Sequence, residues 1–225
     1  MKNLKTDKQK PIKITDSYGW SLALVFKYFD IKRVFDCEIL NDWLAAKGSF
    51  STFDDFIMED RRKALIENVG FWSEEDLKMK FISHIIELAH FEDEAPIRSY
   101  YDRTISAVVN NIKITVKSDL LIAKGVGDIL ETPYFCIQEY KKRKGSSGDG
   151  EGQMLAGMLV AQAQNSYHKP IYGCYILGAN WYFCVLNGRQ YCESEPYSAT
   201  SMTDLKQIVL ILRKLKTIIR EKLLV

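Results

Sequence analysis

Two carboxylates and an ammonium are the groups of this sequence whose types and spacing best suit chemistry. Asp119 leads into the apolar run Leu120-Leu121-Ile122-Ala123, and twenty residues later Glu139-Tyr140-Lys141 follows a second run, Tyr134-Phe135-Cys136-Ile137. Both runs read as buried strands with ionisable groups at one end. A buried, unpaired carboxylate costs roughly 1–3 kcal/mol or more. These side chains therefore either satisfy one another in a salt bridge at a sheet edge or jointly hold a divalent cation. Side chains alternate along a strand, which puts Glu139 and Lys141 on one face. Two carboxylates suit Mg2+, which prefers oxygen ligands, keeps several waters and takes up substrate phosphate. A lysine beside them stays charged and can stabilise negative charge developing on a phosphate. With the ion, the chemistry is phosphodiester hydrolysis.

Three zones must position these groups. Residues 17–70 read as short helices: Leu22, Val25, Phe26 and Phe29 recur at helical spacing, as do Leu40, Trp43 and Leu44. Gly48, the 49–52 turn and Gly70 punctuate them. This zone carries no chemical constellation and reads as a helical cap. A stronger helix starts at Ser73, where Asp76 matches a capping pattern and Glu74 and Glu75 suit the positive end of the helix dipole. Its apolar stripe is Leu77, Phe81, Ile85 and Leu88, and Glu74 and Lys78 continue that stripe upstream, so Glu74 faces inward over the core edge. The rest is strand-rich. Ile105, Ala107 and Val109 alternate, Asn110-Asn111 turns, and Ile112, Ile114 and Val116 alternate again before the Asp119 strand and the 135–141 strand. A basic, then glycine- and serine-rich loop covers 142–152 and a helix 153–165. Strands at 171–177, 181–186 and 189–193 follow, with Asn187-Gly188 a tight-hairpin signal. A last helix over 203–224 carries Leu205, Val209, Leu212, Leu215, Ile219 and Leu223, a stripe read as packing within the chain rather than a dimer seam.

That order and those residues resemble the PD-(D/E)xK nuclease superfamily, which includes type II restriction enzymes and the nuclease part of type I restriction motor subunits. Ser118-Asp119 stands where the family has Pro-Asp, and Glu139-Tyr140-Lys141 where it has Glu-x-Lys. Residues 73–82 look like the helix that supplies the first acidic residue. Gln153 matches a glutamine of the RecB-like and type I branches. Lys169-Pro170-Ile171-Tyr172-Gly173, Asn180-Trp181-Tyr182-Phe183 and Leu186-Asn187-Gly188 are similar to the strands that follow there. The resemblance covers about residues 73–193. Two departures are the missing proline and the bulk of Tyr140, where a small residue is usual.

The resemblance implies an α/β fold, a restriction-endonuclease-like mixed central sheet flanked by helices. Residues 1–72 would form a helical N-terminal extension packed on a nuclease-like core, 73–225. It implies Mg2+ or Mn2+ held by Asp119, Glu139 and the backbone carbonyl of Tyr140. Lys141 would orient the attacking water or stabilise charge. Glu74, with Glu75 as a rival, would hold a water or a second ion, and Gln153 would orient Lys141 or touch phosphate. The implied partner is nucleic acid, DNA first, with a homodimer or an unknown protein as a further partner; selectivity would have to come from the N-terminal helices or another protein. A nuclease fold that binds without cutting, and an RNA-processing nuclease, stand as alternatives.

Composition bounds these readings. The 225 residues are 47% hydrophobic and 27% charged, enough apolar material for a substantial core. A net charge of +2 gives no global attraction to nucleic acid, so any such contact must be local. Five cysteines without a CxxC pair, and no signal peptide, point to a reducing cytoplasm with buried thiols. No apolar run is long enough to span a bilayer. Met1 to Lys13 reads as a loose, lysine-rich tail, and Lys141 to Lys144 as either a phosphate contact or a solvated loop. His84 and His90 are six apart and cannot share a helix face as zinc ligands; Gly145 to Gly152 lacks the Gly-Lys-Ser/Thr ending of a phosphate loop.

Overall fold

The computed structural model describes residues 12–13, 19–93, 95–141, 149–165 and 168–224. The elements run β1 (Ile12–Lys13), α1 (Leu22–Phe29), β2 (Lys32–Arg33), α2 (Glu38–Leu44), α3 (Thr52–Asn68) and α4 (Glu74–Leu77). A π-helical turn, Lys78–Ile82, carries α4 straight into α5 (Ser83–Glu87). Then come β3 (Ile97–Val109), β4 (Ile112–Val126), β5 (Ile129–Lys141), α6 (Gly150–Gln164), β6 (Ile171–Leu177), β7 (Asn180–Asn187), β8 (Gln190–Glu193), β9 (Tyr197–Ser198) and α7 (Met202–Ile218).

The strands form one mixed sheet in the order β1-β4-β5-β6-β7-β8-β2, with β3 on β4 and β9 on β7. Helices cover both faces, as the α/β reading expects. Asn110 and Asn111, both at positive φ, close the β3–β4 hairpin, because Asn tolerates the left-handed region that a two-residue turn requires. β4 is one continuous strand, so the expected 112–116 and Asp119 strands are a single element. Along one edge it pairs with β3; on the other, β5 joins only from Leu120 onward and β1 meets Ile112 and Lys113. Among the described residues, no strand pairs with that second edge over 114–119. This gap is where the site forms.

Alternate strand positions feed two separate cores. Leu120, Ile122, Cys136, Tyr140 and Ile176 pack with Trp43 of α2, Met58 and Leu65 of α3, the 74–87 helix and the Leu205, Val209, Leu212 and Leu215 stripe of α7. Leu121, Ala123, Ile137, Tyr175 and Leu186 pack with Val25 and Phe29 of α1 and with α6. Trp43 is fully buried, edge-on to Tyr172 and Phe183, and donates its indole N–H to Ile211 O at 2.9 Å. Truncating such a residue costs about 3–5 kcal/mol. Residues from the first 72 thus enter both cores and, through β1 and β2, the sheet itself. The α7 stripe is consumed inside the chain, as expected. α3 is longer than the short helices expected there.

α6 begins three residues earlier than its apolar pattern indicates, inside the glycine-rich stretch; residues 142–148, with most of the basic run, lie outside the described residues. The early start has a cause. One carboxylate caps two helices: Asp149 accepts from Gly152 N at 3.0 Å and from Leu22 N at 2.7 Å. This presses α1 against α6 so closely that a Cβ at Gly152 would stand 2.3 Å from Leu22 N. Gly152→Ala should therefore destabilise the protein by about 2 kcal/mol or more through overpacking against backbone. Thermal melts and limited proteolysis should show a lowered midpoint and early cleavage around α1.

Candidate active site

Where β4 and β5 part, the backbone must find other partners. Their ladder ends at Leu120–Gln138, so Tyr140 N–H, two residues on, has no β4 strand partner. Asp119 supplies one: its Oδ2 accepts from Tyr140 N at 2.8 Å. Ser118 Oγ lies 2.8 Å from Leu120 O and 3.1 Å from Gln138 O, tying the two strands together just before they separate. N–H and C=O of one strand residue point to the same edge. The Tyr140 carbonyl therefore opens on the same gap, while Lys141 O turns the other way to accept from Gly178 N. The Tyr140 ring points to the opposite face, fully buried, with its hydroxyl on Gln138 Oε1 at 2.7 Å. Its bulk never meets the site.

Asp119 also marks a change of face. The α6-side core takes the even positions Ile112, Ile114 and Val116, but the odd positions Leu121 and Ala123. Asp102, on β3 in the bracketed position opposite Asp119, has φ of 54°, outside the extended region. Local twisting of this kind re-aims side chains beside functional clefts.

Above the gap lies a cleft of about 570 Å3 lined by Glu74, Glu75, Lys78, Asp102, Thr115, Lys117, Asp119, Glu139, Lys141 and Gln153, with Gly19 and Trp20 as an added wall. Glu139 and Lys141 share a face, as strand alternation requires, and their charged ends are 2.8 Å apart. Lys141 Nζ is also 3.5 Å from Glu74 Oε1. Glu74 and Glu75 divide between two ammonium groups: Glu75 lies 3.4 Å from Lys78. Gln153 stands across the cleft with its amide against Gly19, whose φ of 81° lets the chain pass; a Cβ there would be 2.9 Å from Gln153 Nε2. The structure thus gathers Asp119, Glu139, Lys141, Glu74 and Gln153 at one cleft.

Lys78 is a cleft side chain that the sequence reading did not place at the site. It is buried, 2.9 Å from Asp119 Oδ1 and 3.4 Å from Asp102. The signal was a lysine on an apolar helix stripe, a position that demands a carboxylate partner. Burial alone would depress its pKa; Asp119, Asp102 and Glu75 outweigh burial and hold it charged. Lys141 behaves likewise: burial pulls down, and Glu139, Glu74 and Asp119 carry the net direction up. Glu139 is different. Burial first, then the charge of Asp119, pushes its carboxyl up to about 8 against the pull of Lys141.

These donors fit a hard divalent cation. The carboxylates are crowded enough to repel, which is what a cation relieves, and a backbone carbonyl faces the same gap. Among the described residues, no three His, Cys, Asp or Glu side chains form an ion-binding group. Mg2+ needs only one or two carboxylates plus waters and substrate phosphate, so this does not count against it. No helix among the described residues is long and apolar enough to cross a membrane. No protein-family model matches the chain, and no curated protein is detectably similar to it. The site must be read from its own geometry.

The Glu139 shift carries a signed consequence. In the metal-free protein, folded Glu139 keeps a proton that the unfolded chain loses, so its contribution is complete at acid pH and fades as pH rises towards 8. Melts in chelator between pH 5 and 8 should show wild type losing stability relative to Glu139→Gln, by on the order of 3 kcal/mol. A constant gap across that range would mean that Glu139 ionises normally.

Proposed function

We propose that this chain is a divalent-metal-dependent nuclease that hydrolyses phosphodiester bonds in DNA. The observation that carries the reading is the meeting of Asp119, Glu139, Lys141 and Glu74 in one open cleft at the parting of β4 and β5. The arrangement agrees with what resemblance to the PD-(D/E)xK superfamily implies. Mg2+ or Mn2+ would be held by Asp119, Glu139 and the Tyr140 carbonyl, and when bound supplies charge neutralisation at the phosphate and a more acidic water.

The chain's own groups do the rest. Tyr140 N–H fixes the rotation of the Asp119 carboxylate through Oδ2. Lys141 stays protonated between Glu139 and Glu74, so it serves as an electrostatic stabiliser of the phosphate rather than as a base. Gly150, opening α6, leaves room beside Lys141: a Cβ there would lie 3.2 Å from Lys141 Cγ. Lys117 and Thr115, on the exposed face of β4, line the approach to Asp119 and suit a phosphate backbone.

One observation favours a second reading, a nuclease-fold module that binds without cutting. Lys78 and Lys141 already contact Asp119 and Glu139 at 2.9 and 2.8 Å, so each carboxyl group has a partner without an ion.

The deciding experiment incubates the purified chain with duplex and single-stranded DNA and with RNA, with and without Mg2+ or Mn2+. Cleavage of DNA should require the ion and fall by about 10²–10³-fold in Lys141→Ala and Asp119→Asn variants that retain their fold. Undiminished cutting in Lys141→Ala would place the chemistry elsewhere. Cutting of RNA alone would correct the substrate, and inertness on every substrate would favour the binding module.

A further inference from the structure

Among the described residues, Lys78 is the one buried cation of the cleft that the proposed chemistry does not use. Its ammonium sits at the centre of three carboxylates: Asp119 at 2.9 Å, and Asp102 and Glu75 each at 3.4 Å. With Tyr140 N–H on Oδ2 and Lys78 on Oδ1, both oxygens of Asp119 are engaged. A divalent ion approaching Asp119 therefore meets a unit positive charge within 3 Å of the oxygen that it must bind. Lys78 does not depend on Asp119 alone. Glu75 and Asp102 are largely exposed at 68% and 47%, and both line the cleft, so they offer the ammonium a place nearer the opening. The lysine also opens the π-helical turn, a local widening of the helix that recurs at functional sites.

We propose, building on the nuclease reading, that Lys78 competes internally with the divalent cation for Asp119. An entering phosphate of the nucleic acid draws its ammonium off Asp119, so metal and nucleic acid each tighten the binding of the other. The coupling is reciprocal by thermodynamic necessity. Its consequence is economy of action: the ion is held firmly only when substrate is in the cleft, and Lys78 then adds a second positive charge beside the phosphate.

The test follows Mn2+ binding by the electron paramagnetic resonance of the free ion, using the full chain. Lys78→Met and Lys78→Gln should bind Mn2+ about tenfold or more tightly than wild type, since a like charge a few ångströms away is removed. Lys78→Arg, which keeps the charge, should stay within about threefold of wild type. Circular dichroism melts check folding, and the Gln variant, which can still hydrogen-bond Asp119, answers the question if the Met variant is unstable. A cleavage-resistant phosphorothioate duplex should tighten Mn2+ binding to wild type by several-fold more than it tightens binding to Lys78→Met, because its phosphate joins the ion in both proteins but draws off the Lys78 ammonium only in wild type. Equal Mn2+ affinity in wild type and both neutral variants overturns the competition, and a duplex that tightens Mn2+ equally in wild type and Lys78→Met overturns the coupling through Lys78. Absence of Mn2+ binding in every protein overturns the metal reading beneath both, an outcome distinct from failure of Lys78 alone.

Discussion

The Asp119 carboxylate holds the site together because it repairs a break in the sheet. Once β4 and β5 separate, the N–H of a fully buried residue, Tyr140, is left without a strand partner, a loss of about 1–3 kcal/mol if unmet. Asp119 Oδ2 meets it. That solution places a carboxylate in a partly buried setting and so demands a cation, which Lys78 provides from the neighbouring helix. Glu139, one residue before the rescued N–H, lies buried near Asp119, and burial first, then the Asp119 charge, raises its pKa. Lys141 then balances Glu139 and Glu74. Each charge is present because of the one before it.

The floor of this cleft is made by the sheet, but its walls come from distant parts of the chain. The 74–87 helix brings Glu74, Glu75 and Lys78 from one side; Gln153 of α6, with Gly19 and Trp20 ahead of α1, closes the other. Asp149 couples these last two segments by capping both α1 and α6, and Gly152 permits the contact. The N-terminal zone, bland by its own residues, is therefore part of the cleft through packing. Outside the cleft, Arg33 ties Glu151 of α6 to Glu193 of β8, with Tyr175 and Tyr191 hydroxyls on the same carboxylates. That network is satisfied internally and serves to pin the short edge strand β2 to the sheet.

Local patterns were legible wherever physics acts over a few residues. Asn110-Asn111 announced a hairpin because few other residues adopt positive φ cheaply. Ser73 and Asp76 form the reciprocal cap that their spacing suggested, Asp76 N reaching Ser73 Oγ at 3.0 Å. The start of α6 was misplaced because glycines carry no apolar signal, while its cap, Asp149, depends on a second helix to complete its hydrogen bonds. The continuity of β4 was hidden by its change of face at Asp119: a period-2 pattern that switches parity reads as two strands.

By itself the sequence determined which groups could not be left alone. Asp119 and Glu139-Tyr140-Lys141 at the ends of apolar strands had to be paired or ligated, and alternation alone put Glu139 beside Lys141. It also determined that Lys78 lay on the buried side of its helix. Only the tertiary structure decided who answers whom: that Lys78 reaches Asp119 and Lys141 reaches Glu74, and that the Tyr140 ring turns away from the cleft. The reason is that burial is written in the periodicity of one element. The partner of a buried charge depends on how elements distant in the chain cross, and here that crossing is set by where two strands stop pairing.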